Sequence, residues 1–227
     1  MRASALHHSI WIALVLASPW GPAGSGLAAE LPLLVREDFD NGADRWQPTD
    51  PRAWKVIDSP TGKVFSLFQQ SDYNPPHRSP LNIALLKDVV VSDFVLEVQL
   101  QSTVKDYDHR SLVLVFGYQD PAHFYYVHFG KKTDDHANQI FIVNGAPRVK
   151  ISSETNPGTR WDDRWHQVKI VRQATDGDIE VYFDDMKHTA MEAVDHTFTW
   201  GKVGIGSFDD LGNFDHIVLR GNVATAH

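Results

Sequence analysis

Four histidines, His109, His123, His128 and His136, fall within 28 residues, and His77 stands in the loop before them. Imidazole titrates nearer neutrality than any other side chain, so such a group suits general acid–base work. Arg78, Arg110, Tyr126 and Asn138 accompany it. These are the residue types that β-elimination of a uronate polymer uses. Arg or Asn neutralises the carboxylate, His or Tyr removes the C5 proton, and Tyr protonates the leaving oxygen. His128, Tyr126 and Arg110 are the candidate catalytic set; His109, His136, Asn138, His77 and Arg78 are candidate substrate contacts. The plainer account is that loop histidines are solvated and that Tyr126 and His128 decorate a polar sheet face. A metal is a further account of the same residues. His109, His128 and either Asp135 or His136 would serve zinc if neighbouring strands brought them together, although no closely spaced His pair strengthens this.

What must position these residues is a run of strands. In "PAHFYYVHFG", side chains alternate faces, so Tyr125, Val127 and Phe129 form one apolar set while Phe124, Tyr126 and His128 share the other side. "DFVLEVQLQS" sets Phe94, Leu96, Val98 and Leu100 against Glu97, Gln99 and Gln101, and "SLVLVFGYQ" is apolar on both faces. "NQIFIVNG" ends in the tight-turn pair Asn-Gly and predicts a hairpin with "PRVKISS"; "RWHQVKIVRQ", "ATDGD" and "IEVYFDDM" predict another. "KVGIGSFDD" and "FDHIVLRGN" close the chain. No amphipathic helix pattern exceeds a turn or two. The fold class expected is all-β, a two-sheet antiparallel β-sandwich. "QSDYNPPHRSP" is a Pro-stiffened loop able to hold Tyr73, His77 and Arg78 at a cleft edge with little ordering cost. Among the tryptophans, Trp161, between "TR" and "DD", has the best claim to exposure.

Composition bounds the function. Residues 1–28 read as a secretory signal peptide: Arg2, the short apolar run "IWIALVLA", Pro19, then the small-residue stretch "GLAA". About 200 residues remain as one domain, 29–227, expected outside the cytoplasm, secreted or periplasmic, without a membrane span and as a monomer. No cysteine is present, which excludes thiolate metal sites, thiol nucleophiles and disulfides, and leaves stability to the core. The formal charge of −8 disfavours nucleic acid and anionic membranes. It leaves an anionic glycan open if basic residues gather in one cleft.

Three stretches, "EDFDNGADRWQPTDPRAWKV", "RWHQVKIVRQATDGDIEVYFDD" and "WGKVGIGSFDDLGNFDHIVLRG", resemble the concanavalin A-like lectin/glucanase superfamily, the jelly-roll sandwich that includes laminin-G-like domains. Within it the chain is most similar to secreted bacterial 3-keto-disaccharide hydrolases and family-16-like proteins. The resemblance implies a carbohydrate partner, poly- or oligosaccharide, lying along a concave sheet face. That cleft would centre on His128 and Tyr126, with Gln99 and Gln101 on the same surface and Arg110 or Arg78 pairing any acidic sugar at the rim. It also implies a structural calcium held by Asp38 or Asp40 from the first strand and Asp215 from the last, oxygen ligands that suit a hard cation; the bland alternative is two Asx turns. The family-16 motif Glu-x-Asp-x-(x)-Glu is absent. "DIEVYFDD" puts Asp178 and Glu180 on one face but leaves Asp184 and Asp185 in a turn, so no carboxyl pair about 5–5.5 Å apart is evident. Three function classes stay open: a polysaccharide lyase or unusual glycoside hydrolase, a non-catalytic lectin-like module, and a laminin-G-like interaction domain.

Overall fold

β-Branched and aromatic alternation places strands along the whole described part of the chain, from Leu33 to Val223. The computed structural model describes residues 31–225, so the leader expected over 1–28 lies outside the described residues. The early strands are β1 (Leu33–Glu37), β2 (Trp46–Pro48), β3 (Trp54–Ser59), β4 (Gly62–Leu67) and β5 (Asn82–Leu86). Then come β6 (Val91–Ser102), β7 (Ser111–Asp120), β8 (His123–Gly130), β9 (Gln139–Asn144), β10 (Val149–Lys150) and β11 (Glu154–Thr155). The last are β12 (His166–Gln173), β13 (Asp178–Phe183), β14 (Met191–Val194), β15 (Lys202–Ser207) and β16 (Gly212–Val223). One 3-10 turn, Pro51–Ala53, precedes β3, started by the Asp50 carboxylate accepting from Arg52 N and by Pro at its first position. Among the described residues no helix is long and apolar enough to cross a membrane.

The strands form two antiparallel sheets, and the all-β sandwich expected from the sequence is what the chain adopts. The first runs β11-β14-β13-β12-β6-β16-β4-β3, with β1 also on β16; the second runs β10-β9-β8-β7-β15-β5-β2. Both expected hairpins form, β9–β10 and β12–β13. Gly145, at φ 65°, supplies the left-handed residue of the Asn-Gly turn. β15 can lie against β5 only because residue 206 is glycine: a Cβ there would sit 2.0 Å from the Asn82 carbonyl oxygen.

Between the sheets lies the main core. Phe94, Leu96, Val98 and Leu100 of β6 meet Leu112, Leu114 and Phe116 of β7 and Tyr125, Val127 and Phe129 of β8. Each such side chain contributes about 1.5–3 kcal/mol on burial. Tyr125 keeps its polar tip satisfied at the core's edge: its hydroxyl donates to the Asp195 carboxylate and accepts from Phe198 N at 2.9 Å. A second apolar cluster covers the outer face of the second sheet, with Ile83, Leu85, Val113, Val115, Phe124, Tyr126, Phe141 and Val143. That sheet is therefore apolar on both faces, as the both-sided pattern of "SLVLVFGYQ" implied. The first sheet shows water Glu97, Gln99, Gln101 and Lys169, all partly exposed.

Candidate functional site

Alternation along β8 sends Tyr126 and His128 outward, away from the inter-sheet core. Neither meets bulk solvent: Tyr126 is fully buried and His128 is 6% exposed. The Tyr126 ring stacks on Phe141, centroids 5.1 Å apart, and its oxygen accepts from Arg148 Nη1 at 2.7 Å. His128 lies flat against Phe208, centroids 5.9 Å apart and planes 11° off parallel. Its Nδ1 faces the His136 carbonyl oxygen at 2.9 Å, which fixes Nδ1–H as donor and Nε2 as the unprotonated acceptor. Nε2 is buried without a partner, as is Oε1 of Gln139, the residue opposite His128 on β9.

These surroundings decide the chemistry. Burial first, then the Arg148 charge, pushes the His128 imidazole down to about 3. Burial pushes the Tyr126 phenol far up, only partly offset by Arg148 and Arg78. A neutral histidine and a neutral phenol, both sealed, accept and organise hydrogen bonds but are badly placed to shuttle protons near neutrality.

The cover explains the seal. The loop from 68 to 81 crosses the outer face of the second sheet and is pinned at several points. Asn82 Oδ1 accepts from Ser71 N at 2.9 Å, Leu81 N donates to Phe208 O at 3.1 Å, and Arg148 N donates to Arg78 O at 3.1 Å. The expected wet cleft floor is thus a covered one. The shared surface with Gln99 and Gln101 is also corrected: β6 belongs to the first sheet and β8 to the second, so their outer faces point to opposite sides of the molecule. Gln101 instead donates to Asp163 O at 2.9 Å and accepts from Asn213 at 2.9 Å.

Arg110 is removed from any rim. It is 1% exposed and spends its guanidinium on Ser102 Oγ, Ser102 O and Asp163 Oδ1, each at 2.8–2.9 Å, stitching the β6–β7 connection to the loop before β12. Asn138, buried at φ 54°, clamps loops by donating to Thr133 Oγ1 and to Asn156. His109 and His136 do come near His128: His109 lies 3.9 Å from the Asp134 carboxylate, and His136 contributes its carbonyl while its ring faces solvent. Trp161, expected to be exposed, is buried, with Nε1 donating to Phe129 O at 2.8 Å.

Among the described residues no three His, Cys, Asp or Glu side chains converge as metal ligands. Asp135 is paired with Lys150 at 2.7 Å, which withdraws it from the zinc set. Asp40 accepts from Lys63 N at 3.0 Å. Asp215 has both oxygens on its neighbour His216, one on N at 2.7 Å and one facing Nδ1 at 2.8 Å, with Asp38 close enough to raise its pKa slightly beyond the effect of burial. The residues named for calcium thus spend oxygens on nearby N–H groups, Asp38 Oδ1 accepting from Asp40 N at 3.2 Å, and form no closed oxygen cage among the described residues.

What the sequence reading missed is Arg148 with its two aromatic walls. The Arg148 Cζ stands 4.5 Å from the Phe141 centroid and 4.4 Å from that of Phe208, and Arg78 approaches the Phe208 ring at 5.9 Å. "PRVKISS" signalled only a hairpin partner; that its arginine folds back over β8 depends on a register that no local pattern encodes. Also missed was Glu192 of β14, which pairs directly opposite Glu180 of β13, and whose neighbour on β11 is Glu154. Tyr182 donates to Glu180 at 2.6 Å.

No protein-family profile matches the chain, and no curated protein is similar to it in sequence. Its fold is shared with solved structures. The carbohydrate binding module CBM66 from Bacillus subtilis superposes with a TM-score of 0.57 at 16% identity, covering 78% of this chain and 96% of that one. Domain 4 of AbnA, an extracellular GH43 arabinanase from Geobacillus stearothermophilus, solved with arabinotriose, gives 0.53 at 12% identity over 87% and 96%. A Bacillus subtilis protein of unknown function with a galectin-like fold gives 0.57 at 11% identity over 86% and 98%. At such identities the likeness is one of fold: a β-sandwich of the kind found in carbohydrate-binding modules.

Proposed function

We propose that this is an exported glycan-binding protein of the concanavalin A-like lectin/glucanase superfamily, whose contact surface is the rim built from His77, Arg78, Phe208, Arg148 and His136. The observation that carries it is the half-buried Phe208 ring, flanked by His128, Arg148 and Arg78 at the border between a rigid sheet and its covering loop. Sugar rings take aromatic surface for their C–H side and planar donors for their hydroxyls; here the exposed part of Phe208 and the guanidinium groups over it would supply these. Binding is favoured over cleavage because His128 and Tyr126, the proposed base and acid, are enclosed and neutral. Their role in this reading is to hold Arg148 and Phe208 in place. A structural calcium belongs to the reading only at Asp38 and Asp215. The protein acts as a monomer, its leader removed near residue 28.

The test is calorimetry of the mature protein against a panel of neutral and acidic polysaccharides, with Phe208→Ala as the control. Saturable binding that weakens roughly tenfold in the variant, the loss of about one stacking contact, supports the reading. Absence of binding to every glycan would remove it and leave the laminin-G-like interaction domain.

Hydrolysis is a second reading with its own observation, the Glu180–Glu192 pair. Directly opposed strand residues place their Cβ atoms about 4.5–5.5 Å apart, which brings two carboxyls within range of each other. Release of reducing ends that stops in Glu192→Gln would establish it, and a silent assay would dismiss it.

A further inference from the structure

Arg78 and Arg148 both stand over the Phe208 ring, both charges act on the Tyr126 phenol, and their backbones are joined by the bond from Arg148 N to Arg78 O, 3.1 Å. Neither has a carboxylate partner among the described residues. Arg148 spends one donor on Tyr126 Oη at 2.7 Å and one on the His136 carbonyl at 3.1 Å, and both acceptors are neutral. Among the described residues the exposed Arg78 side chain makes no hydrogen bond; it approaches the Phe208 ring, and its charge acts on the Tyr126 phenol. The chain carries 29 acidic residues against 21 basic ones, so a pair of arginines without a counter-charge runs against composition. Asp134 is engaged with the His136 and Ala137 amides, Asp135 with Lys150, and Asp210 with Tyr107 and Ser111, while the exposed Asp209 beside Phe208 forms no ion pair with either arginine.

We infer that Arg78 and Arg148 form an oxyanion subsite, and that the glycan this protein takes is an acidic one presenting a uronate carboxylate or a sulfate ester. The inference rests on the glycan-binding reading and narrows it. Guanidinium presents its donors in a planar fork that matches either group in two parallel hydrogen bonds. Stacking on Phe141 and Phe208 pre-orients the Arg148 fork, so less side-chain entropy is lost when an anion arrives. Two like charges over one ring, without a carboxylate partner, are relieved by a bound anion, a gain a neutral sugar does not supply. Phe208 then serves the ring that carries the charge.

The deciding experiment is calorimetry of the mature protein with polygalacturonate, a sulfated galactan, neutral arabinan and single-stranded DNA, at low and high salt, with inorganic sulfate as a competitor. Expected is binding of an acidic polysaccharide in preference to the neutral one, weakened by salt, and reduced roughly tenfold to a hundredfold by Arg78→Gln or Arg148→Gln. Whether the carboxylate or the sulfate arm responds identifies the group. Arg148→Gln perturbs a half-buried stack, so if that variant unfolds the test rests on the exposed Arg78→Gln, which loses no side-chain hydrogen bond among the described residues. Equal affinity for acidic and neutral glycans, unchanged in Arg78→Gln, overturns the subsite while leaving glycan binding in place. Failure to bind any glycan brings down both readings. Binding of sulfate without any polysaccharide means an adventitious ion only and overturns the inference. So does DNA binding as tight as that of the polysaccharide.

Discussion

His128 is built as an acceptor rather than a base. Its folded pKa, about 3, lies below the ordinary histidine value of 6.5, so the unfolded chain binds a proton between those limits that the folded one refuses. Stability from this group is therefore complete above about pH 6.5 and falls as pH drops from there toward 3. Urea titrations at pH 7 and pH 5 should show a loss of about 1–2 kcal/mol in the wild type that is absent in His128→Phe, which keeps a ring against Phe208 and cannot charge. Equal acid sensitivity in both proteins would show that His128 is readily solvated and reopen its use as a base. Arg110 gives a complementary expectation. Removing a buried guanidinium strands Ser102 O and opens the β6–β7 connection, so Arg110→Ala should cost about 2–4 kcal/mol in a denaturant melt without changing glycan affinity. At this scale the sequence was legible where strand alternation rules: it separated Tyr125, Val127 and Phe129 from Phe124, Tyr126 and His128 correctly. It could not say that Arg110 turns inward, because a long side chain chooses its partners through tertiary contacts.

Elements were read well and their assembly poorly. The strands expected at "DFVLEVQLQS", "SLVLVFGYQ", "NQIFIVNG" and "IEVYFDD" are all present, because each has its own period-2 signal and turn residues. Sheet membership has no such signal. β5, β6 and β7 are consecutive, yet β6 lies in the sheet opposite the other two, and so the Glu97–Gln99–Gln101 row faces away from His128. The cover over β8 was equally hidden, since a Pro-rich loop reads the same whether it frames a cleft or closes it. Asn82 is the residue that fastens this cover: fully buried, it accepts from Ser71 N and donates to Gln70 Oε1 at 3.2 Å. Asn82→Ala should lower stability by about 1–3 kcal/mol. It should also raise amide exchange selectively across residues 70–80 and let an apolar dye reach the Phe124–Phe141 face. Unchanged exchange in that segment would mean that the Leu81 and Arg148 backbone bonds hold the loop by themselves.

For the whole molecule, composition excluded thiol chemistry and the missing helical period led directly to an all-β sandwich, but how the two ends of the domain meet became visible only in register. β1 pairs with the second half of β16, Glu37 opposite Ile217, while β4 pairs with the first half, and the change of partner falls at His216, at φ 47°, beside a bulge from Asp215 to Val218. Asp38 follows β1 where Glu37 faces Ile217, so the first and last strands bring the Asp38 charge within electrostatic reach of Asp215. Burial raises the Asp215 pKa and the Asp38 charge adds to it, a repulsion that a divalent cation would relieve. A site of two carboxylates would be weak, so saturation is expected only at millimolar calcium. Tenfold excess over the dissociation constant would then stabilise the fold by about 1.4 kcal/mol, a rise of roughly 3–5 °C for a domain of this size. A thermal melt with and without calcium measures it, and Asp215→Asn should abolish the shift while the protein remains folded. A melting curve that neither calcium nor chelator moves would assign Asp215 wholly to its bonds with His216 and remove the metal from this fold.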